Sequence, residues 1–234
     1  MPLIGSILFN TFFYLSLVPI TLIIVFLYFF ISTKNLQYVG SLWIKTVLCT
    51  LRMFCGVRWR VEGVENIPKS PCVVVSNHQG QWESFFLQTL FIPSTSIIKK
   101  ELLYIPLFGW ALRCMKPITL NRLNKISSLK KVIQKGVLKL ESGFSIILFP
   151  EGTRNNPEKG VQPYAASCGL LSVKSGFPIL PICHNSGKYW KNKKFIKSSG
   201  EVILIIGNPR SGNNPKIITN EAYKWTKETY KKIY

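Results

Sequence analysis

From Pro2 to Thr33 the chain carries no charged side chain, and Leu15 to Ile31 is almost unbroken apolar and aromatic. About 20 helical residues cross the hydrocarbon core of a bilayer, so this stretch is long enough to enter one. A secretory signal would open with basic residues, whereas here the first is Lys34, after the apolar run. Asn10 and Pro19 interrupt the stretch, which leaves one tilted span and a membrane-dipping helical pair both open. From Tyr38 to Phe54 apolar positions are interspersed with Lys45 and Arg52, a pattern that suits an interfacial helix or, equally, a core helix of the domain that follows.

After residue 56 the pattern becomes short apolar runs alternating with segments of helical period. It predicts strands over 57–62, 72–76, 95–99, 117–120, 144–149, 178–183 and 201–206, and helices over 81–91, 107–115, 125–140, 166–175 and 219–232. In the third of these helices Ile126, Leu129, Ile133, Val137 and Leu140 form one apolar stripe, with lysines mostly elsewhere. Strands alternating with helices predict an α/β domain, a mixed and largely parallel sheet flanked by helices, preceded by a hydrophobic helical membrane anchor. The expected division is 1–56 for the anchoring helices and 57–234 for the α/β domain.

Thirty Lys and Arg against ten acids give a formal charge of +20. Much of the excess lies in Lys188 to Lys197 and Lys224 to Lys232, interleaved with Tyr189, Trp190, Phe195, Tyr223, Trp225 and Tyr230. Nucleic acid is one partner for such a surface. An anionic leaflet is the better one, because the same chain carries an apolar anchor and aromatic rings favour the headgroup region. Basic residues follow the apolar stretch and none precedes it, which places the following domain on the cytoplasmic side. Six scattered cysteines agree with a reducing compartment.

Two strings carry candidate chemistry. Val73 to Asn77 reads as a buried strand that delivers His78 to a loop, and Glu83 follows five positions later inside the next helix. Five residues on a regular helix point to different faces, so His78 should precede the first turn with Glu83 reaching back to it. A carboxylate on one ring nitrogen fixes the tautomer and leaves the other to take a proton near neutral pH. The plainer reading is a strand-end histidine satisfied by backbone. The second string, Phe149-Pro150-Glu151-Gly152-Thr153-Arg154, follows another apolar run and forms a polar turn at its carboxyl end. The Arg154 guanidinium there is a fork matched to phosphate, or else a surface arginine paired with Glu151. No G-x-S-x-G elbow occurs, and two histidines with no C-x-x-C pair do not make a metal set.

These strings resemble the signatures of the 1-acylglycerol-3-phosphate acyltransferases, bacterial type. Asn77 to Glu83 is similar to N-H-x-x-x-x-D, with Glu83 where most members carry Asp, and residues 149–154 match F-P-E-G-T-R. Lys99 to Trp110 resembles the K-x-E-L-x-x-I-P-x-x-G segment, Pro117 to Arg122 the second signature, and Pro178 to Ile182 the fourth. His184-Asn185-Ser186-Gly187 with Trp190 is similar to a bacterial subgroup. Order and spacing hold from Val57 to Arg210, about two-thirds of the chain. Asn121 replaces the usual Asp, and residues 162–169 lack the lysines common there, departures that bear on acceptor identity.

The resemblance implies acyl transfer from an acyl thioester, coenzyme A or carrier protein, to the 2-hydroxyl of lysophosphatidic acid, forming phosphatidic acid. His78 would be the general base and Glu83 its partner. Lys99, Arg122 and Arg154 would bind the phosphate, with Glu151, Gly152 and Thr153 shaping the acceptor turn. No metal or cofactor is implied, and a two-helix monotopic anchor at the inner membrane is. Rival readings are an acyltransferase for another lysophospholipid or an amino-acid lipid, and a non-enzymatic membrane-surface binder. A nucleic-acid binder is disfavoured.

Overall fold

The computed structural model describes residues 2–120 and 125–234; Asn121, Arg122 and the side chain of Ile126 lie outside the described residues. Seven strands form one sheet in the order β1 (Val57–Glu62), β7 (Gly200–Ile206), β6 (Ile179–His184), β2 (Val73–Ser76), β5 (Ser145–Leu148), β3 (Ser94–Lys99) and β4 (Ile118–Leu120). Only β6 and β7 run antiparallel among the described neighbours. The mixed, largely parallel sheet is the one predicted.

Both faces of the sheet are covered, which is why its central strands read as continuous apolar runs. Val73, Val75, Ile146, Leu148 and Ile179 pack on one face against Leu140 of α5 (Lys125–Glu141), Leu171 of α6 (Ser167–Ser175) and Ala222 of α7 (Pro215–Ile233). Their neighbours Val74, Ile147, Leu180 and Ile182 turn to the other face. There they meet Leu48 and Leu51 of α2 (Thr33–Cys55) and Trp82 and Leu87 of α3 (Trp82–Leu90). The two-residue period of a strand thus divides one hydrophobic run between two cores.

Of the two arrangements left open at Asn10 and Pro19, the N-terminal stretch adopts the unbroken one. It is one continuous helix, α1 (Pro2–Leu27), long and apolar enough to cross a membrane, with a mean hydropathy of 2.1. Asn10 does not end it, because its amide donates to Ser6 O at 2.6 Å and to Phe195 O at 3.2 Å. Phe9 is fully buried in the same core as Trp82 and Trp190, while Ile4, Leu15, Leu22 and Phe26 stay exposed. The partner helix is α2, whose Leu36, Ile44, Val47 and Leu51 are buried while Leu42 and Met53 are exposed. Residues 38–54 therefore combine a core-facing side with an open side on which Leu42 and Met53 lie among Lys45, Thr46 and Arg52. Short α4 (Phe108–Cys114) closes against the far half of α1 through Cys114, Ile20 and Ile24.

Most other bounds agree with the pattern to within a residue or two. The exceptions are α2, which starts at Thr33 instead of 38, and α7, which starts at Pro215 instead of 219. Asn214 caps it by accepting from the N–H groups of Lys216 and Ile217, and Pro215 occupies a first-turn position that needs no donor.

Candidate active site

The three central strands β6, β2 and β5 end at one edge of the sheet, the edge where parallel α/β sheets collect functional loops. Past β2 comes Asn77, whose side chain continues the pairing to β6: its Nδ2 donates to His184 O at 2.9 Å, and its Oδ1 accepts from His184 N at 3.1 Å. The next residue is His78. Its ring stacks on Phe149 at the end of β5, with centroids 4.0 Å apart and planes 15° from parallel.

Glu83, in the first turn of α3, reaches back to the loop as the spacing predicted. Its Oε1 lies 3.0 Å from His78 Nδ1 and accepts the N–H groups of Gln79 and Gly80 at 2.8 and 2.7 Å. Its Oε2 accepts the Ser186 hydroxyl at 2.8 Å. The carboxylate is fully buried. Burial alone would push its pKa up, but the two flanking imidazoles, His184 and His78, and the Gly80 N–H outweigh this and hold the group well below the usual carboxylate range. Glu83 therefore stays charged, His78 Nδ1 carries the proton it donates, and Nε2 has no hydrogen-bond partner among the described residues. A ring that is 14% exposed can take up a proton there. Gly80 also permits a close approach, since a Cβ at this position would come within 2.5 Å of Trp190 O.

The Phe149 to Arg154 turn is pinned to the same loop. Glu151 Oε1 accepts the His78 N–H at 2.9 Å, its Oε2 accepts from Asn155 and from Gln162 N, and Asn155 N donates to His78 O at 2.9 Å. Burial pushes Glu151 up to about 7 despite those donors. Gly152 carries the turn with φ +72°, a left-handed conformation that favours glycine. Arg154 does not pair with Glu151; its Nε donates to Gly80 O at 2.7 Å, and the residue is exposed. Thr153 is exposed on the same turn, and Lys99 is exposed at the end of β3. Arg122 lies outside the described residues. Beside Glu151 and Gly152 opens a cleft of about 1040 Å³ with apolar walls at Leu120, Leu129 and Leu170, which His78 does not line.

Sequence reasoning assigned no role to Ser186, His184, Gln79 or Tyr230. His184 is fully buried; its Nε2 donates to Asn77 O at 2.8 Å and its Nδ1 lies 3.1 Å from Ser186 Oγ, while burial holds its pKa below the usual value. Gln79 donates to the Tyr230 hydroxyl at 2.7 Å and accepts from Gly187 N at 3.1 Å, tying the loop to α7. The resemblance of residues 184–187 to a bacterial subgroup was the one available signal. Among the described residues no three His, Cys, Asp or Glu side chains gather as metal ligands.

Comparison with known proteins places the sequence and the fold. A 1-acyl-sn-glycerol-3-phosphate acyltransferase of Pseudomonas aeruginosa is 37% identical over 84% of this chain and 78% of its own length. A chloroplastic one from Brassica napus is 28% identical over 80% of this chain, which spans about half (53%) of that longer relative. The crystal structure of the 1-acyl-sn-glycerophosphate acyltransferase PlsC from Thermotoga maritima superposes with a TM-score of 0.80, covering 97% of this chain and 94% of that one at 22% identity, and so shares the fold. Residues 58–185, which hold His78, Glu83 and the Glu151 to Arg154 turn, match the acyltransferase family, and the chain belongs to it.

Proposed function

We propose that the protein transfers a fatty acyl group from an acyl thioester to the free 2-hydroxyl of 1-acylglycerol 3-phosphate, giving phosphatidic acid. The observation that carries this reading is His78, with Nδ1 held on a buried, charged carboxylate and Nε2 open. The acceptor hydroxyl loses its proton to Nε2 as its oxygen attacks the thioester carbonyl. The tetrahedral intermediate then breaks the C–S bond, and the imidazolium returns the proton to the departing sulfur, releasing a thiol. Glu83 stabilises the imidazolium in between. The names of the relatives support the acceptor. The donor is coenzyme A or carrier protein, and the residues supply the proton chemistry without a cofactor.

Arg154, held by one nitrogen at Gly80, presents its remaining donors to the acceptor phosphate, joined by Lys99 and Arg122. Glu151, Gly152 and Thr153 shape the turn that carries Arg154. Residues 1–56 anchor the enzyme and 57–234 catalyse, with the catalytic part on the cytoplasmic face of the inner membrane; the exposed apolar side of α1, the exposed Leu42 and Met53 of α2 and the lysine excess after them support this. Asn121 and the lysine-free 162–169 segment favour one variation, another lysophospholipid or an amino-acid lipid as acceptor. The test is thiol release from acyl-coenzyme A and acyl carrier protein by purified protein across a panel of acceptors. Preference for 1-acylglycerol 3-phosphate supports the reading; faster reaction with an unphosphorylated acceptor overturns it.

A further inference from the structure

Residues 191–197 form a strap between the active-site loop and α1. At one end Lys191 pairs with Gly80 in an antiparallel bridge, two positions from His78. At the other end Lys197 is only 3% exposed. Its N–H donates to Ser6 Oγ at 2.9 Å, and its ammonium donates to Asn10 Oδ1 at 2.9 Å and Phe195 O at 2.7 Å. The rings of Phe9 and Trp190 each lie 5.5 Å from that nitrogen. A lysine so deeply buried, with two acceptors and aromatic faces around it, is a tie and not a surface charge. It also accounts for the polar Ser6 and Asn10 in an otherwise apolar helix.

Between the two ties the strap faces outward. Lys193 and Lys194 are exposed, as are Phe195 (52%) and Ile196 (48%). Because Asn10 donates to Phe195 O, the loop tip rides alongside α1, whose Leu3, Ile4, Ile7 and Leu8 are open on the adjoining turns. No acidic residue occurs in α1 or between Lys188 and Gly200. Two large apolar side chains beside two lysines, continuous with an uncharged helix, are the composition of an element that lies at a lipid surface.

We propose that residues 193–196 are a second membrane-contacting element: Phe195 and Ile196 enter the boundary between headgroups and acyl chains of an anionic bilayer, and Lys193 and Lys194 bind its phosphates. The two ties make this contact consequential, because they hold the strap rigidly to α1 and to the loop bearing His78. The element thereby fixes the height of the catalytic edge above the lipid surface from which a lipid acceptor arrives. The inference rests on α1 entering a membrane and, for its kinetic arm, on the proposed acyl transfer.

The test uses the full-length protein in phosphatidylglycerol vesicles with brominated acyl chains. Phe195→Trp adds a fluorophore at the tip, and its emission should be quenched beyond the baseline of the six native tryptophans. In the second arm Phe195→Ser with Ile196→Ser should raise KM for a long-chain acceptor in vesicles about tenfold, leaving kcat and the use of a dispersed short-chain acceptor unchanged. Lys193→Gln with Lys194→Gln should weaken productive engagement of anionic vesicles by about fivefold per charge and leave neutral vesicles unaffected. Absence of extra quenching at position 195, as when a second copy of the chain covers the tip, overturns the proposal. So does an unaltered vesicle KM in the double serine variant. If the wild type transfers no acyl group, the functional reading fails and the quenching arm still decides the lipid contact.

Discussion

Replacing Glu83 by glutamine and, separately, by alanine divides the dyad's chemistry from its structural role. In Glu83→Ala the N–H groups of Gln79 and Gly80 lose their acceptor in a site closed to water. Ser186 escapes, since its proton can turn to His184 Nδ1, 3.1 Å away. Two stranded buried donors at about 1–3 kcal/mol each cost about 2–6 kcal/mol, a large part of an ordinary domain's stability. In Glu83→Gln the amide oxygen can keep the bonds to Gln79, Gly80 and His78, and the NH2 can donate to Ser186 Oγ, which then donates to His184. Every partner is satisfied, so this variant should lose no more than about 1 kcal/mol. What it lacks is the charge beside the imidazolium, an interaction strong enough to alter proton affinity by about one to three orders of magnitude. With only part of that expressed in the transition state, kcat should fall roughly tenfold to a hundredfold. Thiol release and thermal unfolding, measured in the same detergent, read the two effects side by side. A folded Glu83→Gln enzyme with wild-type kcat, or a Glu83→Ala protein as stable as Glu83→Gln, would refute the reasoning.

Arg154→Lys should raise KM for the phosphorylated acceptor about tenfold, because one ammonium cannot both hold Gly80 O and present a fork to phosphate; steady-state kinetics identical to wild type would remove Arg154 from the site. Glu151 keeps its proton up to about 7 in the folded protein against 4.5 ordinarily, so its contribution is full below about pH 4.5 and is lost as pH rises through 7. The melting temperature of wild type relative to Glu151→Gln should therefore decline between pH 5 and 8, and a pH-independent difference would contradict the burial argument. Full-length protein should stay with membranes in a 1 M salt wash, where the Debye length is about 3 Å, since apolar insertion is not screened; complete release would mean that α1 is not inserted.

The strands were legible because burial on both faces writes them as unbroken apolar runs, and the His78 to Glu83 contact was legible because it closes within one loop and one helical turn. The rest of the site depends on distant pairing. Ser186 reaches Glu83 only because β6 lies beside β2, a neighbour relation between segments more than a hundred residues apart that no local pattern encodes. Lys197 sat within a charge run that reads as surface, yet Ser6, Asn10 and three aromatic rings enclose it. Asn10 looked like a break in α1 for the complementary reason: its partners lie at the other end of the chain. Arg154 and Glu151, neighbours in the signature, turn to different parts of the His78 loop instead of to each other.

The most direct test of the account is His78→Ala, assayed by thiol release with saturating 1-acylglycerol 3-phosphate and acyl-coenzyme A. Removing a positioned general base should lower turnover by at least about a hundredfold. His78 contributes one side-chain hydrogen bond and a stacked, 14% exposed ring at the sheet edge, so melting temperature and membrane retention should stay close to wild type. Turnover near the wild-type value in that variant would contradict the central claim that His78 takes the acceptor's proton.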